Sequence, residues 1–432
     1  MKRWTTLGVI ASISAAFVSL AACGGADSST AAPTNKLTVW MMTGGPGDNK
    51  IIDDVTKQFH QKHPDVQVKV EVQQWDNIVT KLTTALASDN PPDIVEMGNT
   101  QTPMLTASGA LAELTADKAG FESSDKWLAG LAGPSTYQDK LYAAPLYGGT
   151  KVVMYSKKMF AAAGIAKPPV TLDELVADCA TLAKAHTSIP NFSAFYMPGQ
   201  YWFAGMPFLF GKGGKIATED NGKWTATMSS AENQAGLAEW KKFQNACSTP
   251  SSIGANTDSP DQDQIFADQK AAMIYVKAWE PGAVKEINAK AAADAGYFIM
   301  PGYEAGAPLP VIVAGSTIGI AQNSPNKETA VDWLKIITGK TFQQTMTQTI
   351  HQLPVVTDFL PTQNVPDVLK LGAQAATVSQ ALPATPGEAT LETESYNEQF
   401  FAKIAKGSDI GSAAGEYDKH ATEAFNAQSG PR

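Results

Sequence analysis

Between residues 36 and 97 the chain alternates strand and helix patterns, which restricts it to a sheet with helices packed on its faces. Lys36-Leu-Thr-Val-Trp-Met-Met42 is an apolar strand run, and Thr43-Gly-Gly-Pro-Gly47 after it is a loop that needs the backbone freedom of glycine. Ile51, Ile52, Val55 and Phe59 fall on one face of a helix that Pro64 closes. Residues 66–72 alternate as a second strand, 75–87 form a second amphipathic helix, and 93–97 a third short strand. This order predicts an α/β fold with a parallel sheet, whose ligands collect at the carboxyl ends of the strands.

The pattern resumes with a strand at 151–155 and helices from Lys157 and over 172–185, the latter opened by a capping box of Thr171 and Glu174. Strands follow at 296–300 and 311–321 and a helix at 327–337; beyond it, helices are broken at Pro354, Pro361, Pro366, Pro383 and Pro386. A chain of 432 residues is large for one hydrophobic core, so two lobes are expected. The net charge of -9, with no long charge run, gives no footing for nucleic acid. Cys179 and Cys247 either pair or stay free, because sequence does not supply the geometry a disulfide requires.

Residues 1–22 read as an export signal: Lys2 and Arg3, an apolar stretch too short to span a bilayer, then Ala21 and Ala22. Leu20-Ala21-Ala22-Cys23 resembles the lipobox of bacterial lipoproteins, in which the Cys is acylated and becomes the mature N-terminus. Residues 23–35 are rich in Gly, Ala, Ser, Thr and Pro, and form a lipidated flexible tether. The expectation is a lipid anchor at Cys23 on the extracellular side of a Gram-positive type membrane.

Several segments together resemble the extracellular solute-binding proteins of family 1, the group containing maltose-binding protein. They are Trp75 to Ser88, Pro91-Pro-Asp-Ile-Val-Glu-Met-Gly-Asn-Thr100, Gly109 to Thr115, Tyr142-Ala-Ala-Pro145, Tyr155 to Gly164, Pro168 to Leu175 and Phe266 to Tyr275, in that order. The resemblance implies two α/β lobes closing on a ligand, as in the type II periplasmic-binding-protein fold. Residues 36–146 and 314–353 would form lobe one, and 147–313 and 354–432 lobe two with its C-terminal helices. It implies a monomeric receptor without cofactor or metal that captures a sugar for the permease subunits of an ABC importer. Glu96-Met-Gly-Asn-Thr100 and Pro383-Ala-Thr-Pro-Gly387 look most like members that bind N-acetylglucosamine oligomers. An aromatic often present after the second segment is replaced here by Glu388-Ala-Thr-Leu-Glu392, which weakens that assignment.

Sugars are held by polar side chains on their hydroxyls and flat rings on their C–H faces. Met42 and Thr43 end the first strand, and Glu96, Asn99 and Thr100 follow the third, where the strand-end rule places ligand contacts. Trp279, after an apolar strand, matches a family position that faces the cleft, and Glu280 beside it could accept hydroxyl protons. Trp75 and Trp202 are either sugar platforms or packed rings. Tyr147 and Thr150 occupy the first crossing and Gly315 and Ser316 the second, where hinge geometry alone would also explain them.

Enzyme motifs do not assemble. Gly339-Lys-Thr341 resembles the tail of a P-loop, but position 334 is Leu and a helix precedes it. His60 and His63 lie at a helix end without a carboxylate motif, a poor metal site. Glu392 and Glu394 as a glycosidase pair keep a secreted glycoside hydrolase as a rival, with a solvated acidic face as the plainer explanation. A peptide or polyamine receptor, favouring anionic side chains over rings, is the second rival.

Overall fold

The computed structural model describes residues 35–43, 48–75, 77–360 and 363–427. The export signal, Cys23 and all of the tether except Asn35 lie outside the described residues, as do Gly44 to Gly47 of the first loop. Among the described residues no helix is long and apolar enough to cross a membrane.

Lobe one is built on a five-stranded sheet in the order Gln67–Gln73, Lys36–Met42, Ile94–Gly98, Ala314–Ile320, Ala143–Gly149. Alternation along the first strand sends residues to both faces. Leu37, Val39 and Met41 join Ile51, Val55 and Phe59 of the helix Asp48–Lys62, together with Trp333 and Leu334 of Lys327–Thr338. Met42 turns to the opposite face, against Ile78, Leu82 and Leu86 of the helix Ile78–Leu86. Each of these fully buried side chains contributes about 1.5–3 kcal/mol. The second helix starts three residues later than its pattern predicts, since Asn77 stands in the left-handed region at φ 56° and cannot continue a helix. That leaves Trp75 ahead of the helix rather than on its buried face.

The sheet is parallel only in part. The first three strands run parallel, but Ala314–Ile320 is antiparallel to both of its neighbours. A strand that arrives from the other lobe is not bound by the helical crossover that enforces parallel pairing. In lobe two, Val152–Ser156 sits between Met273–Val276 and Ala295–Phe298, antiparallel to each. Around it lies the larger core, with Trp240, Phe208, Phe243 and Phe401 buried together. Half of the capping box forms: Thr171 Oγ1 accepts from Glu174 N at 3.2 Å, while Glu174 Oε2 reaches one residue past the cap and accepts from Val170 N at 2.8 Å. Cys179 and Cys247 are bonded, joining Leu172–Ala185 to Ala231–Cys247.

Two of the expected lobe boundaries move. Tyr147 to Gly149 remain paired in the sheet of lobe one, so the first crossing falls at Thr150 and Lys151 rather than after Leu146. At the second, Val313 lies between Val311–Ile312 and Ala314–Ile320. The third comes later than residue 354, because Val355, Val356, Phe359 and Val365 are still buried in the core of lobe one. The helix Asp367–Ala376 then straddles both cores, giving Leu369 and Ala373 to lobe one and Val368 to lobe two. Hydrophobic pattern marks residues as buried without saying in which core.

His63 stacks on Phe59 at 4.7 Å and contacts Asp332 at 2.9 Å, a helix-to-helix tie. A stronger tie is Asp93, 5% exposed, whose carboxylate accepts from Thr38 N (2.8 Å), Ser324 Oγ (2.6 Å) and Asn326 Nδ2 (3.0 Å). Asp93→Ala takes the carboxylate acceptor from Ser324 Oγ, Asn326 Nδ2 and the half-buried Thr38 N, though Asn326 Nδ2 keeps Lys36 O, and is expected to cost about 3 kcal/mol in chemical denaturation. A loss below about 1 kcal/mol would mean that water replaces the carboxylate.

Candidate functional site

A cleft of about 440 Å³ opens between the lobes. Lobe one supplies Thr43, Trp75, Asn99, Thr100, Gln101, Tyr147, Gly315, Ser316 and Gln352; Lys151, Phe203, Lys277, Trp279 and Glu392 face them. Gln101 Nε2 reaches Glu392 Oε2 at 3.4 Å, a direct link between the two sides. A second chamber of about 480 Å³ adjoins it, sharing Lys151, Phe203, Lys277 and Ala314.

The strand ends set the first chamber. Ile94–Gly98 is buried throughout, so its polar followers emerge together at the cleft. Trp75 is 39% exposed and fixed by donation from Nε1 to Thr43 O at 3.1 Å. Trp279 is 41% exposed, lies over Gly149 and carries the Lys277 ammonium 5.2 Å from its ring centre. Rings this exposed are not packed core, and they line the chamber beside polar groups from both lobes. Ser316 Oγ is buried without a hydrogen-bond partner.

Eight of the thirteen expected ligand residues therefore meet in this chamber: Thr43, Trp75, Asn99, Thr100, Tyr147, Trp279, Gly315 and Ser316. Asn99 is largely engaged in structure, donating to Gly130 O and Val313 O. Gly315 is required by packing, as a Cβ there would collide with the Tyr147 carbonyl. Trp202 and Glu280 line the second chamber instead. Trp202 is 5% exposed, its Nε1 donating to Glu398 Oε1 at 3.0 Å.

Met42, Glu96 and Thr150 do not reach either chamber, which corrects three expectations. Met42 points into the core. Glu96, 1% exposed, accepts from Met42 N at 2.8 Å and from Tyr147 Oη at 2.7 Å, so it orients the tyrosine from behind. Thr150 Oγ1 donates to Gly372 O at 2.8 Å. Sequence reasoning missed Gln101, Lys151, Phe203, Lys277 and Gln352, and it took Glu392 for a catalytic partner or solvated surface. Lys151, a lysine leading into an apolar strand, was the one available signal.

The shared wall carries buried charge. Burial, and then Lys277, bring the Lys151 ammonium down to about 7, against the pull of Glu280; Lys151 Nζ stands 4.5 Å from the Phe203 ring centre. Burial raises the Glu280 carboxyl, partly opposed by Lys277. Asp263 is pushed up to about 7 by burial, then by Glu280 and Asp261.

Two lobes with three chain crossings, and a cleft lined from both sides, define a clam-shell binding protein. The chain belongs to the bacterial extracellular solute-binding protein family, whose model matches residues 44–344. It is 31% identical to the diacetylchitobiose binding protein DasA of Streptomyces coelicolor, over 94% of this chain and 96% of that one. It is 22% identical to the galactooligosaccharide-binding protein of Bacillus subtilis, covering 89% and 88% of the two chains. Its fold matches the sugar-binding protein MalE of Xanthomonas citri with a TM-score of 0.78 at 18% identity, over 90% and 97% of the chains.

Proposed function

We propose that this chain is a receptor on the outer face of the cell membrane, anchored through Cys23, that captures an oligosaccharide for the permeases of an ABC importer. The observation that carries the reading is the pairing of exposed Trp75 and Trp279 with polar groups from both lobes in one cleft. Rings cover sugar C–H faces, the side chains of Thr100, Gln101 and Gln352 meet hydroxyls, and a ligand touching both lobes favours the closed arrangement. Two joined chambers suit more than one sugar unit. The likeness to a protein named for diacetylchitobiose supports an N-acetylglucosamine-type ligand. A Gram-positive type anchor would keep such a trap beside its transporter.

A thermal-shift screen of mono- and oligosaccharides tests this. At a concentration about 100 times Kd, a ligand bound only by the folded state stabilises it by about 2.7 kcal/mol. At least one sugar is expected to raise the melting temperature and to be recovered unchanged. Hydrolysis of that sugar would favour the glycosidase, and a response confined to amines or peptides would overturn the sugar assignment.

A further inference from the structure

Lys151 occupies the first crossing, leads into Val152–Ser156 and lines both chambers. It is 7% exposed, with the Tyr201 and Phe203 ring centres 5.4 and 4.5 Å from Nζ. Among the described residues its ammonium has no hydrogen bond and no ion pair. Glu280, the carboxylate that pulls on it, is engaged elsewhere: it accepts from Lys277 N at 2.8 Å and Gln262 Nε2 at 3.3 Å, and lies 3.6 Å from Lys277 Nζ. Nζ is not sealed off as Ser316 Oγ is, so it opens on the chambers.

An ammonium carries three donors, and two ring faces only partly replace the water it gives up. A buried cation without its anion destabilises the free protein, and an uncharged side chain of the same length would suit the aromatic wall better. The charge therefore has its use in the liganded protein. Its surroundings restrict what can reach it. Lys277 and Glu392 share the first chamber with it, and Asp258, Asp261, Asp263, Glu280 and Glu398 line the second. An anionic ligand group would meet those carboxylates as well, whereas an uncharged oxygen accepts from the ammonium without repulsion.

We propose that Lys151 donates from its ammonium to an uncharged oxygen of the bound sugar, so that the ligand supplies the acceptor the folded chain withholds. This rests on the sugar reading and deepens it with a specificity-determining residue. Burial, and then Lys277, hold the free ammonium at about 7 against the pull of Glu280. A ligand oxygen that favours the charged form raises it again. Above pH 7 the free protein thus carries Lys151 largely neutral and the complex carries it charged. Binding then takes up a proton and weakens by up to about tenfold per pH unit. At pH 6 Lys151 is charged in both states and takes up none. Asp263 also stands at about 7, pushed up by burial, so the uptake belongs to Lys151 only if it disappears with Lys151.

The test is titration calorimetry on the full chain at pH 6 and pH 8, in buffers of different ionisation heat. The probes are N,N′-diacetylchitobiose, cellobiose, maltose and digalacturonic acid. At least one neutral disaccharide is expected to bind with proton uptake at pH 8. Lys151→Met should weaken it at pH 6 by about tenfold or more, abolish the uptake, and leave the Tm of the free protein unchanged or higher. Lys151→Gln keeps a donor without charge; it should lose less affinity, show no uptake, and stand in if the first variant does not fold. Affinity within about twofold in a folded variant overturns the inference and leaves the sugar reading standing. So does uptake that persists without Lys151, a Tm lowered by several degrees with affinity unchanged, or tighter binding of digalacturonic acid than of any neutral sugar. No binding by any of the four sugars to the unaltered chain overturns the sugar reading itself.

Discussion

Trp279→Ala is expected to weaken sugar binding by about 30- to 150-fold, the roughly 2–3 kcal/mol that a central aromatic carries in a recognition site. The ring is 41% exposed, so its loss opens no core cavity, and the melting temperature of the free protein should hold within a degree or two. Its position against Gly149 and beside Lys277 puts it where the first crossing meets the chamber wall, so it can cover a sugar face as the lobes close. Unchanged affinity in calorimetry would take Trp279 out of the site. A parallel loss of stability would make it a packing residue instead.

The second large effect is on stability alone. Cys179 and Cys247 are 0% and 3% exposed, with Cα atoms 5.2 Å apart and a sequence separation of 68. Closing a loop of that length removes chain entropy from the unfolded state worth about 4 kcal/mol in the loop-closure model. Cys179→Ala with Cys247→Ala is thus expected to lower the melting temperature by about 5–10 °C. Both sulfurs lie in the core of lobe two, away from the cleft, so affinity for a bound sugar should persist in the folded fraction. A shift of under two degrees would show that the bond adds little beyond the packing around it, and a changed Kd would show that the helices it joins set the cleft.

Of the eight expected residues that gather in the cleft, Thr43, Asn99, Thr100 and Trp279 follow one rule, polar or aromatic groups just beyond a buried strand, while Tyr147, Gly315 and Ser316 sit on the strand ends beside the crossings. That rule needs only the strand pattern, which the chain states openly in Leu37, Val39 and Met41 or in Ile94 to Met97. It fails at Met42 and Glu96 for a common reason. Strand-end position places a residue near the ligand but does not say which face its side chain takes. Met42 takes the core face, and Glu96 turns to hold Tyr147. Glu392 failed in the opposite direction. An acidic pair on an amphipathic helix looks like solvated surface until the helix Pro386–Thr393 is laid beside Gln101 from the far end of the chain.

Sequence by itself therefore determined the α/β class, the family, the order of most elements and the neighbourhood of the cleft, because these rest on local periodicity and short-range caps. Only the tertiary structure decided the mixed direction of the sheet, the pairing of Cys179 with Cys247, the core each terminal segment joins and the acidic second chamber. Those depend on contacts between residues far apart in the chain, such as Lys151, Asp263 and Glu398, which no local pattern brings together.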